Sequence, residues 1–448
     1  MFTRRGFIRI GAAGVGSLAL RPMGLLPALA QNGPDYRALV CIFLVGGNDS
    51  NNTIVPMDDT RFQQYTSIRG DLALNASTLT APVTDAVSGA PYAFHGELKE
   101  LASLFSTKEL AVVANVGSLV QPLTRAQYQS PQALVPSNLF SHSDQQMQWQ
   151  TSIAQGNATT GWAGRVADYI AAQGMNSSSF PTFMSVAGNT IEGTGLNTQE
   201  VCLSPGQSLT LTGFNTTSQS EARHEALTSL LTTDTGISLV QSANTTVAHS
   251  IADAASLSTA LGKSAKLKTV FPKTSIAAQL QQVAEIIQVQ SMLGMRRQIF
   301  FATLGGFDTH TNEINVHNQL YPELSPALAS FYDALQELNM AQNVTTFTES
   351  DFSRTLQPTS GGGSDHAWGS HHLVLGGAVK GGTVYGKFPS FVLGGPDDTD
   401  TRGRWIPTIS IDQYGATLSS WFGVPDSALT TVFPNFKNFG AQKLAFLG

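Results

Sequence analysis

The chain has 448 residues, of which 42% are hydrophobic and 12% are charged, and its net charge is -6 at pH 7. This composition excludes an intrinsically disordered chain, which would be rich in charge and poor in core residues, and it argues against a broad nucleic-acid surface, which would be basic. Two cysteines are too few for a disulfide framework, and no stretch beyond the N-terminal thirty residues approaches the ~20 apolar residues of a membrane-spanning helix.

The N-terminal thirty residues have the three parts of an export signal. Arg4 and Arg5 precede a modest apolar run, and a small-x-small cleavage site follows at residues 28–30. The paired arginines predict the twin-arginine route, while an uncleaved amphipathic anchor is the alternative. We therefore expect a bacterial periplasmic or secreted protein, with residues 1–31 as the signal and 32–448 as a single domain.

Short apolar runs that end at glycine or acidic residues recur along the rest of the chain, at residues 38–45, 110–116, 299–304, 344–348 and 373–375. Such runs are typical of strands that are buried on both faces of a sheet. Amphipathic segments at 276–293 and 324–338 lie among them and predict helices. Strands that alternate with helices predict an α/β fold with a largely parallel sheet.

The segment from about residue 203 to residue 273 differs in composition. It is rich in Ser, Thr and Asn, and the stretches 221–231 and 248–261 have helical patterns. We predict a mainly helical cap or insertion that packs on the core. A flexible linker is the competing interpretation, but the segment contains many spaced Leu, Ile and Ala residues.

Histidines and carboxylates concentrate in one part of the chain. Five of the nine histidines lie between residues 310 and 372, and three aspartates that follow predicted strands or glycines lie in or next to that window. The residues are His310, His317, His366, His371, His372, Asp308, Asp351 and Asp365. Most of them follow a predicted strand, and ligand sites of α/β sheets lie outside the carboxyl ends of the strands. Because Asp and His bind divalent ions, we predict a metal site for Zn, Mn or Ca, with one ion or two.

Some of these residues also have a structural explanation. His317 lies inside a probable helix and is as well explained as a surface residue. Asp351 could instead cap a helix or pair with Arg354. Because neighbouring residues of a strand point to opposite faces, only one of His371 and His372 should face the site.

Two further segments are weaker candidates. Asp49 ends the first strand in Gly46-Gly47-Asn48-Asp49 and adds a strand-end carboxylate, although a plain turn would use the same residue types. Ser141, His142 and Ser143 precede a possible helix, whose N-terminus would favour an anion beside a nucleophilic hydroxyl. The alternative is a serine that caps the helix.

Several motifs follow one another in the order GGND, SHSDQQ, GGFDTH, TESDFSRT and SDHAWGSHHLVLGGAVKGGTVYG. Together with the twin-arginine signal they resemble a family of exported bacterial proteins known as domain of unknown function number fifteen-hundred-and-one. That family is similar in fold to the alkaline phosphatase and sulfatase superfamily. The resemblance implies a three-layer α/β/α sandwich and metal ligands at strand ends, namely Asp49, Asp308, His310, Asp351, Asp365, His366 and one of His371 or His372.

The resemblance also suggests a function. The first hypothesis is an exported metal-dependent hydrolase of phosphate or sulfate esters, in which Ser141 or a metal-activated water attacks the ester. His142 or His366 would move the proton, and Arg354 would steady the leaving charge. Its partner would be a small anionic ester or a glycan. The second hypothesis is a non-catalytic envelope protein that uses the same scaffold for binding or assembly.

Overall fold

The computed structural model describes residues 35–207, 209 and 217–448, so the predicted signal at 1–31 lies outside the described residues. In chain order the strands are β1 (Arg37–Val45), β2 (Ile54–Pro56), β3 (Val83–Thr84), β4 (Pro91–Phe94), β5 (Leu110–Gly117), β6 (Phe183–Ser185), β7 (Val201–Cys202), β8 (Arg297–Gly305), β9 (Val344–Ser350), β10 (Ser370–Leu375), β11 (Val384–Tyr385) and β12 (Ile409–Ser410). The α-helices are α1 (Ser50–Thr53), α2 (Asp59–Arg69), α3 (Lys99–Ser106), α4 (Arg125–Tyr128), α5 (His142–Thr151), α6 (Trp162–Ala172), α7 (Ser218–Thr232), α8 (Ser238–Leu261), α9 (Ser275–Gln288), α10 (Glu313–Glu337), α11 (Ile411–Phe422) and α12 (Asp426–Val432).

A nine-stranded sheet forms the centre of the molecule, in the order β11-β5-β10-β9-β1-β8-β6-β7, with β12 paired to β5. Every neighbouring pair is parallel except those of β10, which runs antiparallel to both β9 and β5. As a result the carboxyl ends of β1, β5, β8 and β9 and the first residue of β10 lie along one edge of the sheet.

The sheet is covered on both faces, which explains the unbroken apolar runs. Along β1, Val40 and Ile42 point into one core, while Cys41 and Phe43 point into another. The first core is closed by α3, α9 and α10, and the second by α6 and α11. The structure therefore confirms the three-layer α/β/α sandwich with a mostly parallel sheet.

The five predicted strands are all present, and the predicted helices differ at their ends. α10 begins at Glu313, before the predicted start at residue 324, and continues through Pro322 and Pro326. Because proline normally ends a helix, the sequence pattern does not predict the part of α10 that precedes residue 324. α9 ends at Gln288, and turns follow it up to Gly294, whose positive φ of 69° suits a glycine.

The predicted insertion contains two helices, α7 and α8, that contact each other and are joined by residues 233–237. We call residues 218–261 the α7–α8 hairpin. Near its end α8 joins the main core through Leu257 and Ala260. Among the helices of the described residues, none is long and apolar enough to cross a membrane.

Candidate metal centre

Two glycines bring the loops at the carboxyl edge of the sheet together. Gly46 and Gly47 follow β1 with φ values of 113° and 82°. A Cβ atom added to Gly46 would lie 2.5 Å from the backbone nitrogen of Asp308, and one added to Gly47 would meet the ring of Phe352 at 2.5 Å. The loops after β1, β8 and β9 can therefore approach one another only because these positions lack side chains.

Three imidazole Nε2 atoms and one carboxylate oxygen converge at this edge. The Nε2 atom of His366 lies 3.1 Å from that of His142 and 2.9 Å from that of His310. Asp308 Oδ1 lies 3.1 Å from His310 Nε2, 3.5 Å from His142 Nε2 and 3.7 Å from His366 Nε2. Ligand atoms at the corners of a tetrahedral zinc site are about 3.3 Å apart. The five distances given above lie between 2.9 and 3.7 Å, and the atoms of His142, Asp308 and His366 form one group of possible metal ligands.

The other ring nitrogens of two of these histidines are fixed by hydrogen bonds. His366 Nδ1 lies 2.7 Å from the backbone oxygen of Phe140, and His142 Nδ1 lies 2.7 Å from Asp351 Oδ2. Because a backbone oxygen can only accept, the Nδ1 atom of His366 carries the proton. In neutral His366 the Nε2 atom then presents a lone pair to the centre, which is the arrangement found in metal-binding histidines.

The protonation states of these groups depend on their different surroundings. The hydrogen bond to Asp351 raises the pKa of His142, whereas burial lowers the pKa of His366. Partial burial would raise the pKa of Asp308, but the hydrogen bond and charge of Arg354 outweigh it and leave that pKa below its ordinary value. The centre thus combines a carboxylate with a neutral and an easily protonated imidazole.

Asp365 lies at the rim of the centre. Its Oδ1 atom is 3.9 Å from His310 Nδ1, and its Oδ2 atom accepts hydrogen bonds from Arg402 at 2.9 Å and Arg404 at 3.0 Å. With His310 and His366 it forms a second group of possible metal ligands. Asp365 therefore either joins the centre or holds His310 beside it.

Arg354 lies below the centre and faces away from solvent. It is fully buried and donates hydrogen bonds to Asp308 and to the backbone oxygens of Gly46, Gly47, Phe307 and Ser364. Because it is buried beneath the loops, Arg354 does not occupy a position from which it could contact a leaving group, which is the role predicted for it from the sequence. Arg354 ties the three loops together and orients Asp308.

Asp351 is buried and holds His142, so neither helix capping nor an ion pair with Arg354 explains it. Its carboxylate also accepts hydrogen bonds from the side chain of Gln146 at 2.7 Å and from the backbone N–H of Gly46 at 3.0 Å. Gln146 was not predicted as a site residue. It lies four residues after His142 in α5 and so occupies the same face of that helix.

The structure does not bring Asp49 to the centre. Asp49 caps α1 and forms a fully buried ion pair with Arg69, which also binds Glu313 at 2.9 Å. His317 lies within reach of this group, and burial lowers the pKa of His317 to about 4. His317 is therefore buried inside α10, so its interpretation as a surface residue is wrong.

His371 also lies away from the centre, because β10 already begins at Ser370 and draws it into the sheet. Its Nδ1 atom accepts the backbone N–H of Asn115 at 3.0 Å, and its ring packs against Phe388. The ring of His372 packs against Trp149. Neither histidine belongs to a group of possible metal ligands among the described residues.

Ser141 occupies the N-cap position of α5, and its hydroxyl donates to Asp144 Oδ2 at 2.6 Å. Among the described residues, no serine or threonine hydroxyl is hydrogen-bonded to the rings of His142, His310 or His366. Of the predicted catalytic residues, the structure brings His142 into the centre and leaves Ser141 beside it.

Comparison with solved structures gives weak similarities. The C-terminal periplasmic domain of EcEptC from Escherichia coli, in complex with Zn, has 12% identity and a TM-score of 0.34, covering 93% of each chain. PsFucS1 sulfatase from Pseudoalteromonas sp. has 12% identity and a TM-score of 0.35, covering 93% of this chain and 72% of the other. The phosphonate monoester hydrolase of Agrobacterium radiobacter has 12% identity and a TM-score of 0.34, covering 87% and 74%.

Similarities at this level carry no argument about the site. Comparison with curated proteins gives no match. A family match, in contrast, spans residues 36–398, which is most of the chain and includes every residue of the centre. The protein therefore belongs to the family described as "Protein of unknown function (DUF1501)".

Proposed function

We propose that the protein binds a divalent metal ion through His142, His310, His366 and Asp308 and hydrolyses phosphate or sulfate esters outside the cytoplasm. The strongest support is the position of His366, whose Nε2 atom lies 2.9 Å from that of His310 and 3.1 Å from that of His142. Two unprotonated nitrogens at this distance repel each other unless a proton or a cation lies between them. When bound, such an ion would polarise an ester oxygen and lower the pKa of water.

Residues around the ligands would keep the centre ready for the ion. Asp351 and the Phe140 carbonyl fix the rings of His142 and His366, and Arg354 directs Asp308. The side chains of Asp308 and His310 are 53% and 45% exposed. An ester can therefore approach the centre from solvent without movement of the chain.

The attacking group in this proposal is water. The hydroxyl of Ser141 is already bound by Asp144, which supports an attack by water over one by this side chain. Asp365, Arg402 and Arg404 form the rim that an anionic ester would meet first. Export by the twin-arginine route would suit a centre that is loaded with its ion before transport.

Elemental mass spectrometry of the purified protein tests the binding part of the proposal. We expect one ion per chain in the natural protein and none in the variants His142→Ala, His310→Ala and His366→Ala. His249→Ala, at an exposed histidine of α8, is the matched control and should retain the ion. A protein without stoichiometric metal after addition of Zn, Mn and Ca would contradict the proposal.

A panel of 4-nitrophenyl phosphate, sulfate and phosphonate esters tests the catalytic part. Turnover of at least one ester should depend on the added ion and fall to background in His366→Ala but not in His249→Ala. Stoichiometric metal without turnover of any ester would instead favour the non-catalytic envelope protein.

A further inference from the structure

The α7–α8 hairpin has almost no core of its own. Of residues 218–250, all of which the structure describes, Ser220 alone is buried. The two helices contact each other, and the buried apolar residues that join the described part of the hairpin to the core are Leu257 and Ala260, near its base. Helices in proteins owe most of their stability to the burial of an apolar face, and of residues 218–250 only Ser220 is buried.

Large apolar side chains are exposed at the end of the hairpin that is distant from the core. Leu239 is 78% exposed and Leu230 is 68% exposed, and Ile237 and Val240 lie beside them around the turn. We call these four residues the hairpin tip. Scattered apolar residues on a surface are normal, but a group of large ones on a protruding element marks an interaction site.

The charge of the hairpin restricts the kind of partner. Between Arg223 and Lys263 the sequence has no Lys or Arg, and its acidic residues are Glu225, Asp234 and Asp253. Helices that lie on a membrane surface usually carry Lys and Arg on their polar face, so an anionic bilayer is not favoured. A strongly charged protein would also find little complementary charge here. A second copy of the same surface meets neither problem, since few like charges face each other.

We propose that the hairpin tip and the adjoining faces of α7 and α8 pair with the same surface of a second copy. The contact would be self-complementary about a two-fold axis, so that the two hairpins form a packing of four helices. This inference is independent of the proposed hydrolase activity, because the described contacts of the metal centre involve no residue of the hairpin.

The size of the hairpin is sufficient for such a contact. α7 has 15 residues and α8 has 24, which correspond to lengths of about 22 and 36 Å. Two adjacent helices, each about 10 Å wide, present a face on the order of 500–700 Å² in each copy. The total of roughly 1,000–1,400 Å² passes the ~1,000 Å² that a specific interface needs.

Sedimentation velocity across a roughly hundredfold range of protein concentration tests the pairing. We expect the natural protein to sediment as a dimer at the upper end, and Leu230→Glu/Leu239→Glu to remain a monomer throughout. Val87→Glu adds the same charge at an apolar side chain that is 82% exposed and outside the hairpin, and it should still form the dimer. The metal content should be equal in all three proteins, which separates this result from failure of the metal proposal.

Three outcomes would overturn the inference. The first is a natural protein that stays monomeric at every concentration. The second is a dimer that Leu230→Glu/Leu239→Glu does not weaken. The third is a monomer that floats with uncharged phosphatidylcholine vesicles and loses this binding in the double variant, since the hairpin tip would then meet lipid. Thermal unfolding followed by circular dichroism should confirm that both variants are folded, as expected for substitutions at exposed positions.

Discussion

At the scale of single residues, Asp351 controls the centre without touching the space where the ion would lie. It accepts the hydrogen bond of His142 Nδ1 and so directs His142 Nε2 inward. Carboxylates in this position hold the ring orientation of a ligating histidine and increase its basicity. The role of His142 therefore depends on a residue 209 positions away in sequence.

We expect Asp351→Asn to weaken metal binding by about 10- to 100-fold, the usual cost of losing such a partner. Titration of the protein against a competing chelator measures the change. Asp144→Asn is the control, because Asp144 lies in the same helix but binds Ser141. Equal affinity of Asp351→Asn and the natural protein would show that His142 is held by other contacts.

At the scale of elements, the approach of the β1 and β8 loops depends on Gly46. In Gly46→Ala the added Cβ atom would collide with the backbone of Asp308, and alanine would also be strained at a φ of 113°. We expect both lower metal affinity and a loss of stability of roughly 1–3 kcal/mol. Chemical unfolding and metal titration measure the two effects.

Gly70→Ala is the control for backbone strain without a collision between loops. Gly70 also has a positive φ, of 51°, but no atom lies within 4 Å of an added Cβ. This variant should lose stability and keep its metal affinity. If Gly46→Ala also bound the ion normally, the close approach of the two loops would not matter for the centre.

A second contact between elements should make stability depend on pH. Cys41 of β1, Glu349 of β9 and Glu192 lie together in the core, and burial raises the pKa of both glutamates well above their ordinary value. The stability that comes from their protonated forms is fully present below about pH 4.5 and is lost as the pH rises through the raised values.

Glu192→Gln, which cannot ionise, should therefore be more stable than the natural protein at pH 8, by at least about 1 kcal/mol. The difference should shrink as the pH is lowered and vanish near pH 4.5. Thermal unfolding at several pH values measures it. A natural protein whose stability did not fall between pH 5 and pH 8 relative to the variant would show that the pKa values of this pair are not raised in the folded protein.

At the scale of the whole molecule, the ion would connect α5 with the loops after β8 and β9. A ligand that binds only the folded chain stabilises it by about 2.7 kcal/mol at a free concentration of 100 times its Kd. We expect a chelator to lower the Tm of the natural protein and to leave the Tm of His366→Ala unchanged. Calorimetry with and without chelator measures this, and equal shifts in both proteins would point to a different binding site.

The sequence predicts the layers of this molecule better than its contacts. Apolar runs predict the buried strands. Residues that follow those strands, such as Asp308 and His366, are then expected at the same edge of the sheet. The Phe140 carbonyl has no signature in sequence, since every residue has such a group. Asp49 follows the same strand-end pattern, but Arg69 pairs with it, and only the tertiary structure brings Arg69 there. His371 fails for a local reason, because β10 already starts at Ser370 and takes His371 into the sheet.

The reversed direction of β10 has a consequence for how this centre can evolve. Since β9 and β10 are antiparallel neighbours, the segment between them leaves and re-enters the sheet at the same edge, and it carries His366. The outer turn of this segment also supports His310, because Thr359 donates a hydrogen bond to the His310 backbone oxygen at 3.0 Å. Substitutions in this exposed turn can therefore shift two histidines of the centre at once, while the residues of the centre and the sheet stay unchanged.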